Sequence, residues 1–77
     1  MYKEVFQIRI KQIRHERKFS QTESSKGIEI SQPLLSKFES GEREPNLEDL
    51  GKLANFYEVS IDWLLGNPYG ARKRRDK

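Results

Sequence analysis

The sequence predicts an all-α fold, a compact bundle of five short helices, and three observations carry that prediction. Apolar residues recur at intervals of three and four along nearly the whole chain, which is the period of helices with one buried face. No stretch alternates apolar and polar residues as a strand would. Ser20, Ser31, Asn46 and Ser60 each stand just ahead of an apolar-periodic segment, and Gly41 and Gly66 each follow one. Those are the places where helix caps belong.

In the first helix Phe6, Ile10 and Ile13 make the stripe, with Val5 alongside and Ile8 off it, over residues 3 to about 18. Ser20 with Glu23 three residues on is a capping box that opens a second helix, 21–28. Its interior is poor in helix formers, with Ser24, Ser25 and Gly27. Ser31 caps the third helix, and Pro33 sits in its first turn, where a missing N–H costs nothing. Leu34, Leu35 and Phe38 follow, and Gly41 stops the helix in a left-handed conformation. Asn46 caps the fourth helix, whose stripe is Leu47, Leu50, Leu53, Ala54 and Tyr57. Ser60 caps a short fifth helix holding Ile61, Trp63, Leu64 and Leu65. One domain over 1–66 is expected, followed by a basic tail or linker start over 67–77, expected to be disordered.

Composition narrows the chemistry. With 77 residues the chain buries roughly 60% of its unfolded surface, so a deep interior cleft is not expected. There is no Cys, which excludes disulfides, zinc fingers and thiol chemistry. His15 is the lone imidazole and reads as a surface residue, not a metal ligand. There is no glycine-rich phosphate loop and no nucleophile–base pair at a recognisable spacing, so an enzyme is not expected. Apolar residues come in runs of two or three, whereas a membrane span needs roughly 20. The first residues show no signal-peptide pattern, and a cytoplasmic location is expected. Charge is unevenly spread. Residues 1–18 carry six Lys/Arg against two acids, residues 39–62 two against seven, and residues 63–77 five against one. One basic and one acidic side suit a protein that meets a polyanion from one direction.

The second and third helices are separated by only three residues, a turn that sets a large angle between them and leaves the third projecting. Leu35 and Phe38 point inward from it, whereas Gln32, Pro33, Ser36 and Lys37 do not. Gln offers the donor and acceptor that match adenine, and Lys the donors that match guanine. Leu34 is suited either to a thymine methyl or to a gap beside the second helix.

At this point the chain resembles the helix-turn-helix domains of the lambda-repressor/Cro type, over residues 5 to about 66. The resemblance rests on Ile13-Arg14, Ser20-Gln21, Ile28-x-Ile30-Ser31-Gln32-Pro33 and Leu35-Ser36-Lys37-Phe38-Glu39-x-Gly41-x-Arg43-x-Pro45. It continues with Leu50-x-x-Leu53-Ala54 and with Val59 to Gly66. It implies base contacts from Gln32, Pro33 and Lys37, with Ser36 on the same face. It also implies backbone contacts from Gln21, Ser31 and Arg43, to which the cap Ser20 is added, and an ion pair between Arg14 and Glu39. The chain departs from the family at Ser24 and Ser25, where Leu and Ala are usual, and at Glu29 and Glu58, where Gly is usual. An inward Ser24 forfeits ~2 kcal/mol of apolar burial.

The function so implied is a DNA-binding transcriptional regulator of phage or prophage repressor type, bacterial or phage-encoded and on the nucleoid when bound. An antitoxin or a restriction–modification controller using the same domain is the alternative. The expected partner is double-stranded DNA, bound as a homodimer on a palindromic operator. Ile61, Leu64 and Pro45 are the expected dimer contacts. No cofactor, metal, membrane or small-molecule ligand is expected.

Overall fold

The computed structural model describes residues 2–67, 71 and 72. Five helices follow one another in them: α1 Tyr2–Glu16, α2 Gln21–Ile28, α3 Gln32–Ser40, α4 Leu47–Tyr57 and α5 Ile61–Leu65. The starts lie where the cap residues put them. Ser20 Oγ accepts the Glu23 N–H at 3.0 Å while the Glu23 carboxylate accepts the Ser20 N–H at 2.8 Å. Ser31 Oγ takes the Leu34 N–H, Asn46 Oδ1 the Asp49 N–H and Ser60 Oγ the Trp63 N–H. Each bond satisfies a donor the helix itself leaves over, at about 1 kcal/mol apiece.

The ends share a second device. Glu29, Gly41, Glu58 and Gly66 all take left-handed conformations after α2, α3, α4 and α5. Ile30 N–H then returns to Ser25 O at 3.1 Å and Val59 N–H to Ala54 O at 3.0 Å. At Glu29 and Glu58 (φ 69° and 59°) a side chain occupies a conformation that costs about 1–2 kcal/mol relative to glycine. Lys18 (φ 62°) does the same after α1. That is why α1 stops at Glu16 instead of reaching residue 18: Phe19 N–H turns back to Arg14 O.

The core draws on every helix. Phe6, Ile10 and Ile13 of α1 meet Leu35 and Phe38 of α3, Leu50, Leu53 and Tyr57 of α4, and Trp63 and Leu64 of α5. Ile8 lies outside it, as its phase requires. Leu47 departs from its expected place on the buried stripe. It is the first residue of α4, in the turn that projects past the core, and it is 76% exposed. Gly27 has a packing role inside α2: the ring of Phe56 occupies the space a Cβ would need.

Ser24 is fully buried, but its expected penalty is offset. Its Oγ accepts the Tyr57 hydroxyl at 2.8 Å, so two groups that would each be costly alone satisfy one another. Burial pushes the Tyr57 phenol up to about 12 from an ordinary 10.0. A folded value above the unfolded one stabilises fully below pH 10 and is lost as pH climbs through 12. The loss is about 2–3 kcal/mol. Urea midpoints at pH 9 and pH 11.5 should show this fall, and Tyr57→Phe should show less of it while losing about 1–3 kcal/mol at neutral pH through the orphaned Ser24 hydroxyl. An equal alkaline fall in both proteins would assign it to other groups.

The expected disordered tail is only partly described, since residues 68–70 and 73–77 lie outside the described residues. Ala71 and Arg72, however, are fastened to the domain. Ser60 N–H donates to Arg72 O at 2.8 Å, and Ser60 Oγ donates to Ala71 O. Arg72 pairs with Glu16, and its guanidinium lies 5.0 Å from the Trp63 ring centre, with Arg9 also over that ring at 4.7 Å. Among the described residues no helix is long and apolar enough to cross a membrane.

Candidate nucleic-acid interface

Only Glu29, Ile30 and Ser31 separate α2 from α3. The left-handed Glu29 reverses the chain, and Ser31 immediately caps the next helix. α3 buries Leu35, Phe38 and Glu39 along one side. Gln32, Pro33 and Lys37 are exposed on the other side and Ser36 is half-buried beside them. Leu34 is partly buried against the core, which favours the gap-filling role of the two open to it. Lys37 makes no ion pair among the described residues, so its ammonium is available to a partner.

Beneath this face runs a chain of side-chain bonds, in which the expected Arg14–Glu39 pair is joined to Gln21 and Gln32, residues the sequence presents only as separate DNA contacts. Arg14 Nε donates to Glu39 Oε2 at 2.6 Å and Arg14 Nη2 to Glu39 Oε1 at 3.0 Å. Glu39 is 4% exposed and Arg14 11%. The hydrogen bond to Glu39 holds the Arg14 guanidinium above its ordinary pKa. Arg14 Nη1 also donates to Phe19 O at 2.9 Å, which ties down the loop into α2. Glu39 Oε1 accepts from Gln21 Nε2 at 3.0 Å, and Gln21 Oε1 accepts from Gln32 Nε2 at 2.7 Å. The first residues of α2 and α3 are thus one hydrogen bond apart, and two helix N-termini open side by side. The signal was present in the sequence as a Gln opening each helix beside a matched Arg and Glu. What it lacked was the interhelix angle that brings residues 11 and 18 positions apart together.

The remaining expected contacts fall in different places. The hydroxyls of Ser20 and Ser31 accept helix N–H groups, and each keeps its own proton to donate. Arg43 is exposed in the segment between Gly41 and α4. Pro45 lines a shallow apolar groove with Lys3, Phe6, Glu44, Leu50 and Leu65. Ile61 lines a separate one with Gly51, Ala54, Asn55, Val59, Ser60 and Asp62. Leu64 is overturned as a dimer contact. It is fully buried within its own domain, because α5 seats both Trp63 and Leu64 in the core and leaves Ile61 and Leu65 at the edge. Among the described residues no group of three or more His, Cys, Asp or Glu could hold a metal ion.

Two short helices joined by a capped three-residue turn, the second with one face buried and one free, define a helix-turn-helix domain. The chain matches the helix-turn-helix family model over residues 10–64 and belongs to that family, in its lambda-repressor/Cro type. Among curated relatives it is 35% identical to the HTH-type transcriptional regulator ImmR of Bacillus subtilis (strain 168), over 84% of this chain and 51% of that one. It is 35% identical to the cryptic phage CTXphi transcriptional repressor RstR of Vibrio cholerae, over 82% and 57%. It is 33% identical to the HTH-type transcriptional activator BcrR of Enterococcus faecalis, over 78% and 29%. The chain therefore spans roughly half, or less, of the length of these relatives. No solved structure gave a significant match.

Proposed function

We propose that this chain is a sequence-specific double-stranded-DNA-binding transcriptional regulator, a repressor of phage or prophage type. The observation that carries the reading is the free face of α3, with Gln32, Pro33, Ser36 and Lys37 held outward by a helix whose other side is locked into the core. Relatives named as a transcriptional regulator and a phage repressor support it. In this reading α3 lies in the major groove. Gln32 pairs with an adenine edge and Lys37 with guanine O6 and N7. The N-termini of α2 and α3, the Ser20 and Ser31 hydroxyls and Arg43 meet phosphates and set the register.

One such helix reads too few base pairs to find a site in a genome, so two copies related by a two-fold axis read half-sites about 34–36 Å apart on a palindromic operator. Pro45 and Ile61, at the edges of the two apolar grooves, are the contacts we assign to that dimer. No cofactor is needed for this activity.

Selection of bound sites from random duplex DNA is the test, and a chain that enriches no sequence would sink the proposal. With a site in hand, Lys37→Ala is expected to relax discrimination at one base pair per half-site by about 1–3 kcal/mol. Arg43→Ala is expected to weaken all duplexes alike and to reduce the salt slope by about one. A Lys37→Ala loss equal on specific and random duplexes would remove Lys37 from base reading.

A further inference from the structure

We infer that Glu39, buried and away from the free face of α3, is a positioning residue that fixes which atoms Gln32 presents to a base. The inference rests on the DNA-reading role proposed above and goes beyond it, to the origin of the specificity at one base pair.

The argument is one of donors and acceptors. Arg14 grips both oxygens of Glu39, at 2.6 and 3.0 Å, so the group is a carboxylate and can only accept. Gln21 can therefore turn only its NH2 group toward Glu39, and Nε2 donates to Oε1 at 3.0 Å. An amide with its NH2 so committed has its oxygen on the other side, and there Gln21 Oε1 meets Gln32. A carbonyl oxygen only accepts, so Gln32 must supply an N–H to it, as Nε2 does at 2.7 Å. Gln32 is left with one N–H and its Oε1. That pair matches the N7 acceptor and N6 donor of adenine, whereas the flipped amide would offer a different pattern. An amide in isolation chooses its orientation by whatever it meets. Here the choice runs from a buried charge through two amides, and it is made before DNA arrives.

The polarity can be reversed on purpose. Lys at position 21 is donor-only: it can still donate to Glu39, but it can offer Gln32 nothing except a donor. The Gln32 oxygen is then drawn to the lysine, and only N–H groups remain for the base. Site selection with the 77-residue chain, read position by position, tests this. Gln21→Lys is expected to cut the preference for adenine at the Gln32 position about tenfold and shift it toward guanine, with the base pair read by Lys37 unchanged. Glu39→Gln, assayed in the cold after its helical signal is verified, frees both amides to flip. It is expected to flatten that one position about fivefold. A merely structural role would lower affinity at every position together.

If Gln21→Lys keeps the adenine preference of the parent, the relay is wrong even where Glu39→Gln fails to fold. A folded Glu39→Gln chain with an unchanged preference at the Gln32 position overturns it as well. A parent chain that selects no sequence overturns the DNA reading, and the relay with it.

Discussion

Replacing Glu39 with Gln is expected to lower stability by about 3 kcal/mol and to drop the melting temperature by about 15 °C. Three elements depend on this carboxylate. Arg14 brings α1 and, through Phe19 O, the loop into α2. Gln21 brings the start of α2, and Glu39 itself sits near the end of α3. The neutral amide keeps the shape of Glu39 but leaves the Arg14 guanidinium, 11% exposed, without its counter-charge. That uncompensated charge is the source of the loss, more than the intrinsic strength of the pair, since a buried ion pair often does little better than an apolar one of the same volume. The companion Arg14→Met with Glu39→Leu should therefore cost less than either single change, though it leaves Gln21 without an acceptor. Thermal melts of Glu39→Gln, the double variant and its two single changes check this. A loss below about 0.5 kcal/mol for Glu39→Gln would mean that the pair behaves like an exposed one.

How much of this was legible in the sequence depends on the range of the interaction. The caps are local, settled by a side chain and a backbone group three residues away, and Ser20, Ser31, Asn46 and Ser60 all lie where pattern alone puts them. The left-handed Glu29 has no such local signal in its own residue type; only the resemblance, in which glycine is usual at that position, points to it. Faces within a helix were legible too, which is why Ile8 is outside and Phe38 inside.

The misreadings occur where a periodic pattern meets the limits of the core. Leu47 has the right phase, but phase does not reveal that the first turn of α4 overhangs its neighbours. Leu64, three residues from Ile61, is expected with it at a dimer contact. A five-residue α5 can be inserted far enough to bury Trp63 and Leu64 together. The Ser24–Tyr57 bond and the Gln21–Gln32 contact span 33 and 11 residues. No local signal reports such a pairing. It becomes readable only once the helices are placed.

Phe38→Ala is expected to have the other large effect, a loss of about 3–5 kcal/mol. Phe38 is 1% exposed, and its ring meets that of Phe6 edge to face, with centres 5.8 Å apart and planes at 78°. Truncation removes the ring from the core and leaves a cavity between α1 and α3 that the surrounding helices can close only in part. It also forfeits the aromatic pair, worth about 0.5–1.5 kcal/mol beyond the buried area. A domain of this length has roughly 4–11 kcal/mol in total, so Phe38→Ala should remove a large share of its stability. Phe38→Leu refills most of the volume and is expected to cost about 1.5 kcal/mol. The functional consequence differs between the two. Phe38 lies one residue from Lys37 and six from Gln32 on the same nine-residue helix, so its seat on Phe6 sets the height at which both stand above the domain. Phe38→Leu should therefore fold, yet bind a selected site less tightly than its stability loss alone would require. Urea titration gives the first quantity and duplex titration of the folded variant the second. A Phe38→Ala chain that loses less than about 1 kcal/mol would mean that α3 is held on the domain chiefly by Leu35 and the Arg14–Glu39 pair, and that the aromatic contact with α1 is incidental.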